Sequence, residues 1–293
     1  MIWPTDKIII ICGATASGKS ALAIAAAKQI NGVIINADSI QVYKDIPILA
    51  ACPTLVDIAQ APHKLYSFLD YDQQLSVGKW LQLVHTEIER CQNAGVTPII
   101  VGGTGMYLGA LVNGLNNLPE SSANTKKIVQ QLIANMDEEQ LHHHLHKCDP
   151  SMAQRLHIND HQRIIRALEV FYETGGTPLS KLQKTPVQKK FQRSAFYIIH
   201  HTLEREKLYY NCNQRFLKML ENGALAEVFK LLENYPDMVL KKGIGVKELA
   251  AYLKKEISLE SAIFKAQQAT RNYAKRQLTW FRHQLDYDDY TNS

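Results

Sequence analysis

Lys7-Ile8-Ile9-Ile10-Ile11-Cys12-Gly13-Ala14-Thr15-Ala16-Ser17-Gly18-Lys19-Ser20 decides the fold of this 293-residue chain. The unbroken apolar run Lys7 to Cys12 reads as a strand buried on both faces, the habit of a parallel sheet. Gly13 to Ser20 then fits G-x-x-x-x-G-K-[ST], and the Ala-rich segment Ser20 to Ile30 reads as a helix. Strand, glycine turn and helix in that order make a phosphate-binding loop: the glycines let backbone N–H groups turn inward, and the helix N-terminus adds its dipole. Lys19 supplies a point charge and the Ser20 hydroxyl a ligand for Mg2+.

Working outward, Gly32 to Ala37 forms a second strand ending at Asp38. Ser76 caps a helix running to about Asn93, and Val96 to Val101 is a third strand that turns at Gly102-Gly103-Thr104-Gly105. Alternating strands and helices give an α/β core around a parallel sheet, in which the strand exits converge on one crevice. From about Asn124 to Thr174 the pattern is helical throughout. Phe196 to His201 returns as a strand, and helices resume from Arg205 to about Leu285, broken near Tyr235-Pro236 and Lys242 to Gly245. The simplest organisation is a P-loop NTPase-like core over 1–119 and 193–293, carrying an inserted all-helical domain over 120–192 and a helical C-terminal region.

Composition narrows the class. Hydrophobic residues at 46% and charged residues at 21% exclude disorder, collagen and simple coiled coil. A net charge of +5 is compatible with a polyanionic partner without demonstrating one. Cys12, Cys52, Cys91, Cys148 and Cys212 are scattered without a C-x-x-C pair, so neither a disulfide framework nor a zinc knuckle is expected, and a reducing cytoplasmic setting fits. Met1 to Lys7 lacks the basic start of a secretory signal. The uncharged stretch Cys91 to Pro119 is interrupted by glycines and Pro98, so strand, loop and helix are expected there and no membrane association.

A phosphate loop does not by itself specify a nucleotide. Asp38 fits three roles on pattern alone: a metal-ordering carboxylate, a general base, or a helix cap. At this point the chain resembles the tRNA dimethylallyltransferases. The resemblance rests on Gly13 to Ser20, Asp38-Ser39-Ile40-Gln41-Val42-Tyr43, Val101-Gly102-Gly103-Thr104-Gly105-Met106-Tyr107, Asn159 to Val170 and Thr270 to Phe281, in the family's order across nearly the whole chain.

That resemblance implies transfer of a dimethylallyl group from its diphosphate to the exocyclic amine of the adenosine 3′ of the anticodon, with diphosphate leaving. It implies Asp38 as the base, and Lys19 with loop residues Gly13, Ala14, Thr15, Ala16, Ser17, Gly18 and Ser20 on the diphosphate. Thr104 then borders the reacting centre, and Mg2+ sits on Ser20. Contacts to the tRNA anticodon loop fall, by the same resemblance, to Asp38, Ser39, Ile40, Gln41, Thr104, Lys126, Gln162, Arg163, Ile164, Ile165, Arg166, Lys242 and Lys247. A monomer is expected.

The chain departs from the family's pattern at Asp45 to Cys52, where a Thr-x-Lys is usual, at Val246 in place of tyrosine, and at Asn211 in place of a frequent arginine. The basic C-terminal stripe Arg271, Lys275 and Arg282 is a solvated face by pattern alone and a set of phosphate contacts under the resemblance. Tyr273 and Trp280 are expected in the core. His142, His143, His144 and His146 read as a polar helix surface, since only His142 and His146 have i, i+4 spacing. Competing activities are prenylation of free AMP, a small-molecule kinase or NTPase, and a non-catalytic RNA-binding protein.

Overall fold

The computed structural model describes residues 2–292 except 188, 237 and 239–241. The chain divides into two compact units, Met1–Asn113 with Phe191–Ser293, and Gly114–Lys190. The second therefore begins and ends slightly ahead of the 120–192 expected from the sequence.

The larger unit opens with β1 (Ile8–Cys12), α1 (Lys19–Ile30) and β2 (Gly32–Asn36), followed by a long irregular segment. Next come α2 (Leu55–Gln60), β3 (His63–Lys64), α3 (Val77–Asn93), β4 (Thr97–Gly102) and α4 (Gly105–Asn113). The smaller unit supplies α5 (Ala123–Ile133), α6 (Glu138–Cys148), α7 (Pro150–Arg155), α8 (His161–Glu173) and α9 (Leu179–Leu182). The larger unit resumes with β5 (Phe196–Thr202), α10 (Arg205–Glu221), α11 (Ala224–Asn234), α12 (Val246–Leu253), α13 (Leu259–Gln284) and β6 (Asp289–Asn292).

All six strands run parallel in the order β3-β2-β4-β1-β5-β6. Every residue of β1 is buried, as its apolar run requires: Ile8 and Ile10 pack with Trp80, Leu108 and Phe281, while Ile9 and Ile11 meet Ala23 and Ala26 of α1. The strands β3 and β6 were not anticipated, being a two-residue pairing and a polar tail segment with little apolar pattern to read. Ser76 caps α3 as expected, accepting from the Lys79 amide.

α13 has 26 residues, so it spans about 39 Å at 1.5 Å per residue. Its start packs with Phe216 and Leu249, and its end reaches Phe281 beneath the sheet. Gln277 therefore arrives at the strand exits. No helix among the described residues is long and apolar enough to cross a membrane.

The smaller unit, taken by itself, packs α5 to α9 around Val129, Leu145, Ile164 and Leu168. Its histidines are structural or solvated. His142 Nε2 lies 3.0 Å from the Ala153 carbonyl oxygen and His144 Nε2 lies 2.9 Å from the Tyr172 hydroxyl, and no metal-binding group of three ligands occurs among the described residues.

Candidate active site

The glycine loop follows β1 directly. Gly18 sits at φ 97°, a left-handed geometry suited to glycine, and forms the N-cap of α1, so no side chain closes the first-turn amides. Ala16 takes a left-handed φ of 62°, a conformation that side-chain-bearing residues adopt only when held. Ser17 is buried, and its hydroxyl has no partner in the protein among the described residues. A buried hydroxyl without a protein partner beside uncapped amides is chemically suited to receive an anion.

The exit of β4 closes on that of β2. Thr104 N donates to the Ala37 carbonyl at 3.2 Å. A Cβ at Gly102 would stand 2.1 Å from the same carbonyl oxygen, so only glycine lets the two chains meet. This approach carries Thr104 to the Asp38 segment: its Oγ1 accepts from Ser39 N at 2.9 Å and lies 3.3 Å from Ser39 Oγ. Asp38 Oδ1 accepts from Ile40 N at 2.9 Å, while the Asp38 amide is fixed by Asn36 Oδ1 at 2.8 Å.

α13 locks the arrangement. Gln277 Oε1 accepts from the Thr15 amide at 2.8 Å, and its Nε2 donates to the Gly103 carbonyl at 2.7 Å, tying the glycine loop to the β4 exit. Arg215 of α10 donates to Thr15 Oγ1 at 2.6 Å. Burial pushes the Lys19 amine down to about 8, opposed by the Asp38 carboxylate and reinforced by Arg215. Burial likewise lowers Arg215, which is partly supported by the Cys212 thiol and Asp38. Two cations and one carboxylate thus share a poorly solvated site, an arrangement suited to a multiply charged anion.

A cavity of about 830 Å3 is lined by Thr15, Asp38, Ser39, Arg215, Tyr273 and Arg276, with apolar walls from Leu49, Phe216 and Ala250.

Residues 41–284 match the family model described as IPP transferase. The chain belongs to the IPP transferase family. It is 40% identical over 293 residues to a tRNA dimethylallyltransferase of Rickettsia bellii, covering 99% of this chain and 93% of the relative. A tRNA dimethylallyltransferase of Paramagnetospirillum magneticum is 43% identical over 279 residues, 94% of this chain and 88% of its own. Among solved structures, a eukaryotic dimethylallyltransferase acting on tRNA superposes with a TM-score of 0.81 at 31% identity, over 97% of this chain and 74% of that one. The tRNA isopentenylpyrophosphate transferase of Bacillus halodurans gives 0.69 at 31% identity, over 98% and 90%. The parallel sheet and glycine loop of this IPP transferase are the P-loop NTPase-like core expected from the sequence.

Within this IPP transferase the expected contact residues divide. Ser39, Ile40 and Lys247 line the large cavity with Asp38. Gln41 does not: its amide donates to the Ala51 carbonyl at 2.6 Å, and with Ser20 it lines a second cavity of about 360 Å3 beside Cys52, His63 and Tyr66. The Asp38 to Cys52 segment is thus a wall with a cavity on either side. Glu227 anchors it, accepting from Ile48 N at 2.7 Å and Leu49 N at 2.9 Å. Asp45 takes the Tyr71 amide at 2.9 Å, so this departure from the family pattern has a structural use. Val246 is wholly buried, where an apolar side chain fits.

Three expectations change. Lys242 packs on the fold: its ammonium donates to the Tyr71 and Gln73 carbonyls and lies 4.4 Å from the Tyr43 ring centroid. Ile164 is fully buried in the smaller unit, so its side chain is closed to any partner. Tyr273 faces the large cavity, not the core, whereas Trp280 packs against the core as expected.

In the smaller unit Lys126, Gln162 and Arg163 are exposed and Ile165 is half-buried. Arg163 pairs with Asp160 at 2.7 Å. Arg166 donates to Ser121 Oγ at 2.6 Å and to the Pro119 carbonyl at 2.8 Å. On α13, Arg271 is held by Asn213 Oδ1 at 2.6 Å, leaving Lys275 and Arg282 exposed.

Sequence reasoning missed Arg215 and the bridging use of Gln277. Position 215 lies one helical turn beyond the Asn211 departure, on the same face of α10. That spacing was a usable signal.

Proposed function

We propose that this protein transfers a dimethylallyl group from dimethylallyl diphosphate to the N6 amine of the adenosine 3′ of the anticodon (position 37) in tRNA, releasing diphosphate. One observation carries this reading: Thr15 of the glycine loop beyond β1, the Asp38 carboxylate beyond β2 and the Arg215 guanidinium line the same largely apolar cavity, with the Thr104 hydroxyl hydrogen-bonded to Ser39 of its wall. Membership of the IPP transferase family and its tRNA-modifying relatives support it.

In this reaction the bond from the amine nitrogen to the allylic carbon forms as the carbon–oxygen bond to the diphosphate breaks. The departing oxygen takes the electron pair, and the amine proton passes to Asp38. An adenine amine is weakly nucleophilic because its lone pair is shared with the ring, so a base positioned on its proton contributes about 10²- to 10⁴-fold. Asp38 is held by one oxygen on the Ile40 amide, which orients the carboxylate for that task. Lys19, Arg215, the Ser17 hydroxyl and the first-turn amides of α1 stabilise the anion where its charge grows. The apolar wall takes the hydrocarbon and excludes water.

Mg2+ fits the donor set modestly. The Ser20 hydroxyl in the first turn of α1 would be its protein ligand, and substrate oxygens and water would complete the shell, as this ion's reluctance to dehydrate favours. When bound, it neutralises diphosphate charge.

The base must leave its stack to reach Asp38, at a cost of a few kcal/mol. Ser39, Ile40 and Lys247, which line the large cavity, are the residues assigned in this reading to that base and the nucleotides beside it. Lys126, Gln162 and Arg163, exposed on the smaller unit, are assigned in this reading to the anticodon loop, together with the half-buried Ile165 and Arg166. The five free cysteines suit a reducing cytoplasm.

The test is incubation of the protein with unmodified tRNA carrying that adenosine, Mg2+ and dimethylallyl diphosphate, followed by mass spectrometry of the digested RNA. A prenyl-sized gain on the single adenosine is expected. ATP consumption without prenylation, or prenylation of AMP alone, would contradict the assignment.

A further inference from the structure

β2 is apolar until its last position, where Asn36 is wholly buried. A polar side chain placed there costs free energy unless its hydrogen bonds are made. A primary amide offers an acceptor oxygen and two N–H donors, and its surroundings settle which end is which. The Asp38 amide can only donate, so the Asn36 atom 2.8 Å from it is Oδ1. Nδ2 then faces two carbonyl oxygens, which only accept: that of Asp38 at 3.0 Å and that of Leu65 at 3.0 Å. Both backbone polar groups of Asp38 are therefore held by one side chain two residues earlier.

Asn36 is itself held firmly. Its backbone pairs with Val101 of β4, and its carbonyl accepts from Trp80 Nε1 at 3.0 Å. That indole is buried and stacked on Tyr107, with 4.3 Å between ring centroids. On the other side, Leu65 stands at φ 63°, a left-handed conformation that costs a side-chain-bearing residue about 1–2 kcal/mol and persists where its surroundings impose it. The bond from Asn36 fixes the carbonyl of that residue. Beyond it, Ser67 N donates to the Gln41 carbonyl and Phe68 N to the Val42 carbonyl, each at 2.9 Å, so this stretch runs alongside the segment that carries Asp38. Asn36 closes the pairing at the Asp38 end.

We propose that Asn36 is a positioning residue for Asp38: its amide fixes the direction in which the carboxylate enters the large cavity, and with it the rate of proton removal from the amine. The proposal rests on the dimethylallyl-transfer reading above, with Asp38 as base. Two bonds from one planar amide restrain the peptide planes on both sides of Asp38, and the Ile40 amide then fixes one carboxylate oxygen at 2.9 Å. With backbone and side chain both held, the base is ordered before the reaction begins. A misplacement of about 1 Å at a reacting group costs up to about 10²-fold in rate, the scale on which such a clasp acts. Asn36 does not line the cavity and acts only through Asp38.

A double-mutant cycle between positions 36 and 38 separates this role from general support of the fold. Single-turnover transfer to tRNA and equilibrium binding of dimethylallyl diphosphate are measured for the unmutated protein, Asn36→Ala, Asn36→Ser, Asp38→Asn and the two double variants, each below its own unfolding midpoint. Asn36→Ala should slow transfer about 10- to 100-fold while the diphosphate Kd changes less than about twofold. Asn36→Ser, whose hydroxyl replaces part of the clasp, should lose less, and it carries the test if the alanine variant does not fold. In the Asp38→Asn background, where no base remains to be placed, neither substitution should add more than about a further twofold loss. Losses that multiply in that background, transfer by the Asn36 variants at the unmutated rate, or a loss traced to weaker diphosphate binding would overturn the proposal alone. Absence of transfer by the unmutated protein would overturn the functional reading and the proposal with it.

Discussion

Raising the pH should weaken binding of dimethylallyl diphosphate well before an ordinary lysine would lose its charge. Burial holds the Lys19 amine at about 8 in the free protein, against an ordinary 10.5. A base with a lowered pKa gives up its proton earlier as pH rises, and an arriving anion must restore it. If only the protonated amine binds, affinity follows its protonated fraction. Between about pH 7.5 and about pH 9.5 that fraction falls about 25-fold for a pKa of 8, but only about 1.1-fold for an unperturbed lysine. Calorimetric titration with dimethylallyl diphosphate at several pH values, in two buffers of different ionisation heat, reads both the affinity and the protons taken up. Near pH 8.5 most of one proton should be absorbed per molecule bound. Lys19→Arg, charged throughout, should abolish the dependence. A change of less than about twofold over this range, with no proton uptake, would refute the reasoning.

Glu227→Gln should leave one of the Ile48 and Leu49 amides without an acceptor and cost about 1–3 kcal/mol, with Glu227→Ala costing more, read as a lowered urea midpoint at unchanged m-value. His200 is buried, with Nε2 unpartnered among the described residues, and burial pushes it down to about 4. The unfolded chain binds its proton first, so stability should decline as pH falls from about 6.5 to about 4, by up to about 3 kcal/mol, and His200→Phe should flatten that limb of a pH–denaturation series. Arg163→Ala should lower the salt slope of tRNA binding by about one, whereas Arg166→Ala, losing its bonds to Ser121 and Pro119, should chiefly reduce the melting temperature.

Much of this was legible in the sequence because it is local. The run Ile8 to Cys12, the glycine loop and the Ser76 cap are each specified by adjacent residues, and all three occur where the pattern puts them. Asp38 and Thr104 were legible as strand exits, and the parallel register brings them together. What escaped depends on partners far apart in sequence. Gln277 meets Thr15 across 262 positions and Arg215 meets it across 200, separations that no periodicity encodes. Tyr273 lies on a helix with apolar contacts at both ends, so its stripe alone could not say that it faces a cavity. Lys242 reads as a basic turn, and only the Tyr43 and Tyr71 rings beside it reveal its packing against carbonyls.

The central claim is that Asp38 accepts the proton of an adenine amine beside a diphosphate held by the glycine loop. Asp38→Asn tests it most directly, because the amide oxygen can still take the Ile40 N–H while the base is gone. In single-turnover transfer to tRNA the variant should lose its rate by about 10²-fold or more and keep its dimethylallyl diphosphate affinity within about twofold. Transfer at the unmutated rate would contradict the account.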